Sequence, residues 1–417
     1  MIATLPLKRK IGFVASGGAA KAACFHMGVA LALQRKGFSF RSGLARDAGP
    51  LLHNGREIEV LVGSSAGAFA CAMITSGYPL DDIYRSFLRE RNARFPTLSY
   101  GDMLNPNVFD TLMRFLPRLP KSFKMRGMDS LEALVQTLFS ANGFYSTRNL
   151  EKFLRKQVLP SNRFKDLAAE FYAVTTTLDR PGRLICGPRS LADVQRPGYY
   201  YDAETQYTDY VEISHAAAAS MSLPPIFKPY PLRTEDGVVY CFDGEIRRTL
   251  STHVAKDAGC DLIIVSYTHH PYHYREDVGS LIDFGIPSIL VQAIYQLIES
   301  RIQNAKETHD MKKMVLSEIQ AFAKRHNMSA EAATELMQIL TQKLNFKPDV
   351  DYLFINPSSR EEDLFFADHF NLSPKSMEKI AESGFRSAIR VLKDYSFTFE
   401  QPAASPSRSG PSARPSA

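Results

Sequence analysis

The chain has 417 residues, of which 45% are hydrophobic, enough for a sizeable buried core. With 50 Lys and Arg against 44 Asp and Glu, its net charge is +6, which suits contact with anionic surfaces but is too weak to indicate nucleic-acid binding. The five cysteines are scattered without a C-x-x-C pair, which argues against a disulfide framework and a structural zinc site.

The first residues, MIATLPLKRKIGFVASGG, lack the basic, apolar and small-residue order of a signal peptide. No stretch of about 18 residues is free of polar breaks, so we do not expect a membrane-spanning helix. A reducing, cytoplasmic setting is the expectation.

Short apolar runs alternate with helical patterns along the chain. Helices are predicted over 20–36 and 66–76, each followed or ended by glycine. The predicted strands are 11–15, 57–63, 170–178, 238–244 and 261–267. This alternation predicts an α/β fold with a mostly parallel sheet covered on both faces.

The stretch VGSSAGAFACAM, residues 62–73, joins a strand to an Ala-rich helix and contains the pattern G-x-S-x-G. A tight turn of this kind aims a serine hydroxyl, and the small residues Gly63 and Gly67 let the turn close. Ser65 is therefore either a nucleophile or the cap of a glycine-rich turn, and the motif alone does not separate the two.

The loop ASGGAAKAACFHMG, residues 15–28, follows the first strand and matches neither a Walker phosphate loop nor a dinucleotide loop. Adjacent backbone N–H groups at Gly17, Gly18 and Ala19 could form an oxyanion hole, with Lys21 adding positive charge. A helix-start turn without a functional role is the alternative.

The stretch CFDGEIRR, residues 241–248, delivers Asp243 at a strand end, followed by Gly244. One carboxylate at such a position is usually a turn former, but beside a buried serine it could be the general base. Glu245 would place a second carboxylate nearby, and like charges raise a carboxylate's pKa.

No histidine is an obvious base. His26 and His215 lie in small-residue segments, where we expect structural histidines, and the cluster YTHHPYHY, residues 267–274, is interpreted as a solvated loop.

Taken together, these motifs resemble the patatin-like phospholipases: a Gly-rich loop near the N-terminus, then G-x-S-x-G, then D-G. Two further segments are similar to that family, TTTLD at 175–179 and HAAAASMSLPPIFKPY at 215–230, and the resemblance covers roughly residues 10–270.

The resemblance implies a serine lipid acyl hydrolase with a Ser65–Asp243 dyad and an acyl-enzyme intermediate. It implies oxyanion binding by Gly17, Gly18 and Ala19, a phospholipid or other acyl-lipid substrate, transient contact with a membrane surface, and no metal or organic cofactor. It also implies a three-layer α/β/α fold.

The loop departs from the family pattern G-G-G-x-[KR]-G, since Ala19 and Ala22 stand where the pattern has glycine. An alanine amide still donates a hydrogen bond, but a positive φ at Ala19 would strain the backbone. Glu245 also replaces the small residue that usually follows D-G.

Two other functions stay open on the sequence. A Ser–His–Asp esterase would take its histidine from after Asp243, with His253 or the histidines of 269–273 available. A non-catalytic lipid-binding protein that keeps the fold is supported by the loop alanines.

We predict a catalytic domain over 8–275 with an insertion at 100–145, and a mostly helical extension over 276–399 packed on it. The Pro/Ser/Ala-rich tail, 400–417, is predicted to be disordered.

Within the insertion, residues 112–126 combine apolar side chains with basic ones and contain no acidic residue. We expect this segment to contact anionic membrane surfaces. Changing Arg114, Arg118, Lys121 and Lys124 to Gln should weaken co-sedimentation with anionic liposomes, and raising the salt should weaken binding of the unaltered protein. The prediction is contradicted if neither the four substitutions nor added salt weakens liposome binding.

Overall fold

The computed structural model describes residues 2–107, 142–189, 191, 204–224, 226–268, 271–274, 276, 278–344, 346–358 and 371–400. The strands are β1 (Ala3–Leu5), β2 (Ile11–Ala15), β3 (Ser39–Phe40), β4 (Glu57–Ser64), β5 (Asn105–Pro106), β6 (Tyr145–Ser146), β7 (Glu170–Thr177), β8 (Arg183–Cys186), β9 (Thr205–Thr208), β10 (Tyr230–Thr234), β11 (Gly237–Asp243), β12 (Leu262–Ser266), β13 (Asp351–Ile355) and β14 (Tyr395–Phe397). The α-helices are α1 (Ala19–Arg35), α2 (Ala66–Ile74), α3 (Leu80–Phe87), α4 (Tyr100–Met103), α5 (Arg148–Phe153), α6 (Ile213–Ser220), α7 (Thr252–Asp257), α8 (Gly285–Arg325), α9 (Ala330–Lys343) and α10 (Pro374–Leu392).

The central sheet has a parallel core in the order β7-β4-β2-β12-β13. Strand β11 pairs antiparallel with the last residues of β7, and β10 pairs antiparallel with β11. One face packs against α1, α2 and α10, and the other against α7 and α8. Because both faces are covered, β2 and β12 are buried along their whole length, which is why their sequences are continuous apolar runs. This is the predicted three-layer α/β/α fold.

The predicted strands and the two predicted helices all form, with ends within about two residues of the expected positions. Helices α8, α9 and α10 lie within the range predicted as a mostly helical extension, 276–399, and α8 and α9 are separated by a short turn. Strand β13 was not predicted, and α10 was not predicted as a separate helix. They matter for the fold because β13 pairs in parallel with β12 at the sheet edge.

Helix α10 packs directly along α1, and the two helices approach most closely at a pair of glycines. A Cβ on Gly28 would overlap the carbonyl oxygen of Ala381, and one on Gly384 would overlap the carbonyl oxygen of Phe25. The missing side chains bring the two backbones into contact. A second link joins the ends of the described chain, where β1 pairs in parallel with β14.

All five cysteines are buried and free. No helix within the described ranges is both long enough and apolar enough to cross a membrane. Most of the predicted insertion, including the membrane-contact segment 112–126, and the predicted disordered tail apart from Glu400 lie outside the described residues.

Replacing Gly384 by Ala should lower the midpoint of thermal unfolding, because the new methyl group cannot fit between α10 and α1. Overpacking of this kind costs about 1–3 kcal/mol. Gly101→Ala is the matched control, since a Cβ there meets its nearest atom, Ser99 Oγ, at 3.7 Å. Equal midpoints for the two variants would contradict the close packing of the helices.

Candidate active site

One edge of β7 carries two strands end to end. β4 runs parallel to it and ends with Ser64 opposite Val174, while β11 runs antiparallel and ends with Asp243 opposite Thr175. Strand β8 pairs with Ala173–Thr176 of β7 and so occupies the opposite edge there. Strands β4 and β11 therefore share one edge of β7. The two strands therefore end head to head, and the residues that follow them meet.

Ser65 stands on the turn between β4 and α2 with φ 54° and ψ −128°. A non-glycine residue rarely adopts this backbone conformation, which costs on the order of 1–3 kcal/mol and occurs mainly at functional sites. The Ser65 amide donates a 2.7 Å hydrogen bond to Ser220 Oγ, which in turn donates to the Val174 carbonyl at 2.6 Å. Ser220, at the end of α6, thus holds the turn to the sheet.

The glycines of the G-x-S-x-G motif leave room for the helix that follows. A Cβ on Gly63 would overlap the backbone of Ala68, and one on Gly67 would overlap the carbonyl oxygen of Ala15. Helix α2 can therefore start directly above the ends of β4 and β2.

Asp243 is buried. The Glu245 amide donates to Asp243 Oδ1 at 2.9 Å, and Thr176 Oγ1 donates to the Asp243 carbonyl at 2.9 Å. Burial raises the pKa of Asp243 to about 6, while the nearby Ser65 side chain and the hydrogen bond from the Glu245 amide oppose the rise. The carboxylate can thus take up a proton near neutral pH.

The loop before α1 lies against Ser65. A Cβ on Gly17 would stand 2.9 Å from Ser65 Cβ, so the Gly17 backbone faces the serine closely. Gly18 has φ 131°, a conformation that favours glycine, and Ala19 is the first residue of α1. The positive φ thus falls on Gly18, and the helical Ala19 avoids the strain considered above.

Polar groups from two elements hold this loop in place. Thr268 Oγ1 donates to the Gly17 carbonyl at 3.1 Å. His26 joins the loop to β12, since its Nε2 lies 2.8 Å from the Ser16 carbonyl oxygen and its Nδ1 lies 2.7 Å from Ser266 Oγ. Burial lowers the pKa of His26 to about 4, opposed by the hydrogen bond to Ser16, so the ring is neutral at pH 7. This confirms the prediction of a structural histidine.

Glu245 occupies a position next to the loop. The Gly17 amide donates to Glu245 Oε1 at 3.1 Å. Burial and the adjacent Asp243 carboxylate raise the pKa of Glu245 to about 8, while the Gly17 hydrogen bond and the nearby Ser64 side chain oppose the rise. The second carboxylate noted in the sequence therefore lies at the site, and its raised pKa favours the protonated form.

Lys21 is buried in the first turn of α1, and its Nζ lies 5.4 Å from the centroid of the Tyr295 ring on α8. Burial lowers its pKa to about 7. Of the predicted oxyanion-loop residues, the structure places Gly17 directly against Ser65 and Lys21 beside Tyr295.

Of the histidines proposed for a Ser–His–Asp triad, His253 has its Nε2 2.9 Å from Arg183 Nη1. His215, which we expected to be structural, has its Nδ1 2.8 Å from the Tyr230 hydroxyl. His269 and His270 lie outside the described residues.

The interpretation of residues 267–274 as a solvated loop is wrong for several of them. Tyr267, Thr268 and Tyr272 are buried, and Thr268 supports the loop at Gly17. Sequence reasoning missed Thr268 and Ser220, because an isolated hydroxyl in a polar or Ala-rich segment carries no distinctive pattern.

A cavity of about 20 Å³ has Ala66, the residue that follows the serine in α2, among its lining residues. It lies between α1, α2 and the end of α6, and its lining residues are all apolar or weakly polar. They are Ala23, Cys24, Ala66, Phe69, Phe87, Leu98, Met103, Leu150, Met221, Leu372 and Met377. The site thus joins a polar centre to an apolar interior.

A serine on a strained strand–helix turn, in a three-layer α/β fold, places the protein among hydrolases. The family model described as patatin-like phospholipase matches residues 13–256, and the chain belongs to that family. It is an enzyme that hydrolyses ester bonds of lipids.

Among solved structures, the chain is similar to VipD from Legionella pneumophila, at 13% identity and a TM-score of 0.35. The alignment covers 94% of this chain and 67% of that one. No curated protein matches the sequence.

Proposed function

We propose that Ser65 and Asp243 form a catalytic dyad that cleaves acyl esters of phospholipids or lysophospholipids through an acyl-enzyme. The observation that carries the proposal is the meeting of Ser65, on its strained turn, with the buried Asp243 at the facing ends of β4 and β11, where the Ser65 side chain lowers the pKa of Asp243. A base next to the nucleophile, which itself stands on a turn that fixes its direction, is the arrangement that nucleophilic catalysis needs.

In the first half-reaction, Ser65 Oγ attacks the ester carbonyl and its proton passes to Asp243. The tetrahedral intermediate then collapses, the bond to the alcohol breaks, and Asp243 returns the proton to the leaving alkoxide. In the second, Asp243 takes a proton from water as that water attacks the acyl-enzyme. Collapse of the new intermediate frees the fatty acid and returns the proton to Ser65. The raised pKa of Asp243 suits both roles, because the group must gain and lose a proton near neutral pH.

The amides of Gly17, Gly18 and Ala19 are proposed to stabilise the oxyanion. The Gly17 amide currently donates to Glu245 Oε1. Because an oxyanion and a carboxylate cannot share this donor favourably, the neutral form of Glu245 is the productive one, and substrate displaces its oxygen from Gly17.

An acyl-lipid substrate agrees with the apolar cavity that Ala66 helps to line. We propose that the first carbons of the acyl chain enter there after the protein has docked transiently on a membrane surface. The lipid headgroup, on the other side of the ester, would then face away from the apolar interior.

Ser65→Ala and Asp243→Asn should each lower kcat by about 10⁴-fold, and the double variant should be little worse than either. This strong non-additivity is expected because the two side chains act as one unit. Ser64→Ala is the control and should retain most of the activity, since Ser64 is the last residue of β4 and Ser65 is the residue on the turn. Activity on a lysophospholipid and circular dichroism of each variant are the measurements. Losses that multiply in the double variant would refute a dyad.

The pH profile of kcat/KM should be bell-shaped. Activity should fall below about pH 6, where Asp243 becomes protonated and cannot act as base. It should fall again above about pH 8, where Glu245 ionises beside Asp243 and Gly17 and opposes the oxyanion. Glu245→Gln should remove the alkaline limb and leave the acidic limb in place. An alkaline limb unchanged in this variant would count against the role given to Glu245.

A further inference from the structure

A second cavity, of about 370 Å³, lies away from the serine between α7, α8 and the residues around β13. Its charged lining residues are all basic, and two histidines join them. The basic residues are Arg248, Lys256, Arg301, Lys312 and Lys347, and the histidines are His253 and His309. Among the lining residues that the structure describes, none is acidic. A lining of one sign makes this cavity electrostatically selective for anions.

Backbone carbonyls position three of these cations. Lys312 Nζ donates to the Leu344 carbonyl at 2.8 Å, Lys347 Nζ to the Lys256 carbonyl at 3.2 Å, and Arg301 Nη1 to the Ile246 carbonyl at 2.9 Å. These hydrogen bonds hold the three cationic side chains in place around the cavity.

The cations are close enough to influence one another. Burial lowers the pKa of Lys256, nearby Asp257 raises it, and the positive charges of Lys347, Arg248 and Lys312 lower it further. Bringing like charges together raises the free energy of the folded protein, and a bound anion would relieve this repulsion.

Neutral donors complete the lining. Asn304, Thr252, Thr308 and Thr249 contribute amide and hydroxyl groups. The buried Thr249 hydroxyl has no hydrogen-bond partner in the part of the chain that the structure describes. Several cations with interspersed hydroxyl donors match the many acceptor oxygens of phosphate groups better than they match a single carboxylate.

We propose that this cavity binds a phosphate-bearing polyanion, either a free oligophosphate or the phosphorylated headgroup of a lipid. The proposal rests on the charges and donors of the cavity and does not depend on the dyad assigned above.

A lipid source is included because apolar side chains stand beside the basic ones on α8. Leu297 precedes Arg301 by four residues and Val315 follows Lys312 by three, spacings that place neighbours on one helix face. Both Leu297 and Val315 are exposed. A headgroup in the cavity would bring these side chains close to the bilayer interface.

The test is calorimetric titration of the full chain with tripolyphosphate near neutral pH and moderate salt. The unaltered protein should bind with a defined stoichiometry, and tripolyphosphate should raise its thermal unfolding midpoint. Lys312→Gln/Lys347→Gln should weaken binding by about tenfold or more, because two charge-assisted contacts are lost.

The matched control is Lys324→Gln/Lys343→Gln, which removes the same charge from exposed positions of α8 and α9 outside the cavity. It should change the affinity by less than about twofold, as expected for screened surface charges. Lys312→Arg/Lys347→Arg keeps the charge and should retain binding, which separates a lost contact from a folding defect. No binding by the unaltered protein, or equal losses in the cavity variant and the control, overturns the proposal.

Vesicles of ether-linked phosphatidylcholine with ether-linked phosphatidic acid separate the two sources, because they contain no acyl ester that the enzyme could cleave. Vesicle binding that tripolyphosphate displaces and that Lys312→Gln/Lys347→Gln weakens identifies a lipid headgroup. Tripolyphosphate binding without such vesicle binding identifies a free polyanion.

Discussion

The edge of β7 is the constraint on which the site depends. It is long enough to pair with β4 over one half and with β11 over the other, so two strands that run in opposite directions end against adjacent residues, Val174 and Thr175. This pairing brings together parts of the chain about 180 residues apart in sequence, Ser65 and Asp243. Their separation is set by backbone hydrogen bonds, which are rigid, rather than by a flexible loop.

A second set of contacts orients the remaining part of the site. His26 links the loop before α1 to β12, and Thr268, which follows β12, hydrogen-bonds to the same loop. Ser220 accepts a hydrogen bond from the Ser65 amide and so fixes the serine turn. These are buried polar groups with satisfied hydrogen bonds, and such networks specify a single arrangement because breaking one bond leaves its partner unsatisfied. Glu245 is different, because its Oε1 accepts the Gly17 amide hydrogen bond that we propose for the oxyanion.

The sequence contained enough to predict the strands and helices of the catalytic half, because continuous apolar runs and glycine-terminated helices are local patterns. The positions of Ser65 and Asp243 followed from motifs at strand ends. The direction of Glu245 and the contacts of Thr268 could not be predicted, since they depend on how distant elements pack. Strand β13 was missed for a related reason: its sequence, DYLFI, begins with a charged residue, and its pairing with β12 is decided by tertiary contact.

The tight crossing of α1 and α10 has a consequence for how the molecule is made. The helix that begins at the loop beside Ser65 leaves the ribosome early, whereas its packing partner, Pro374–Leu392, leaves more than 300 residues later. Until then, one side of α1 has no helix against which its glycine-lined surface can pack, and β12 lacks its neighbouring strand. The order of synthesis therefore postpones completion of the helix layer formed by α1 and α10, and of the sheet edge at β13, until most of the chain has emerged.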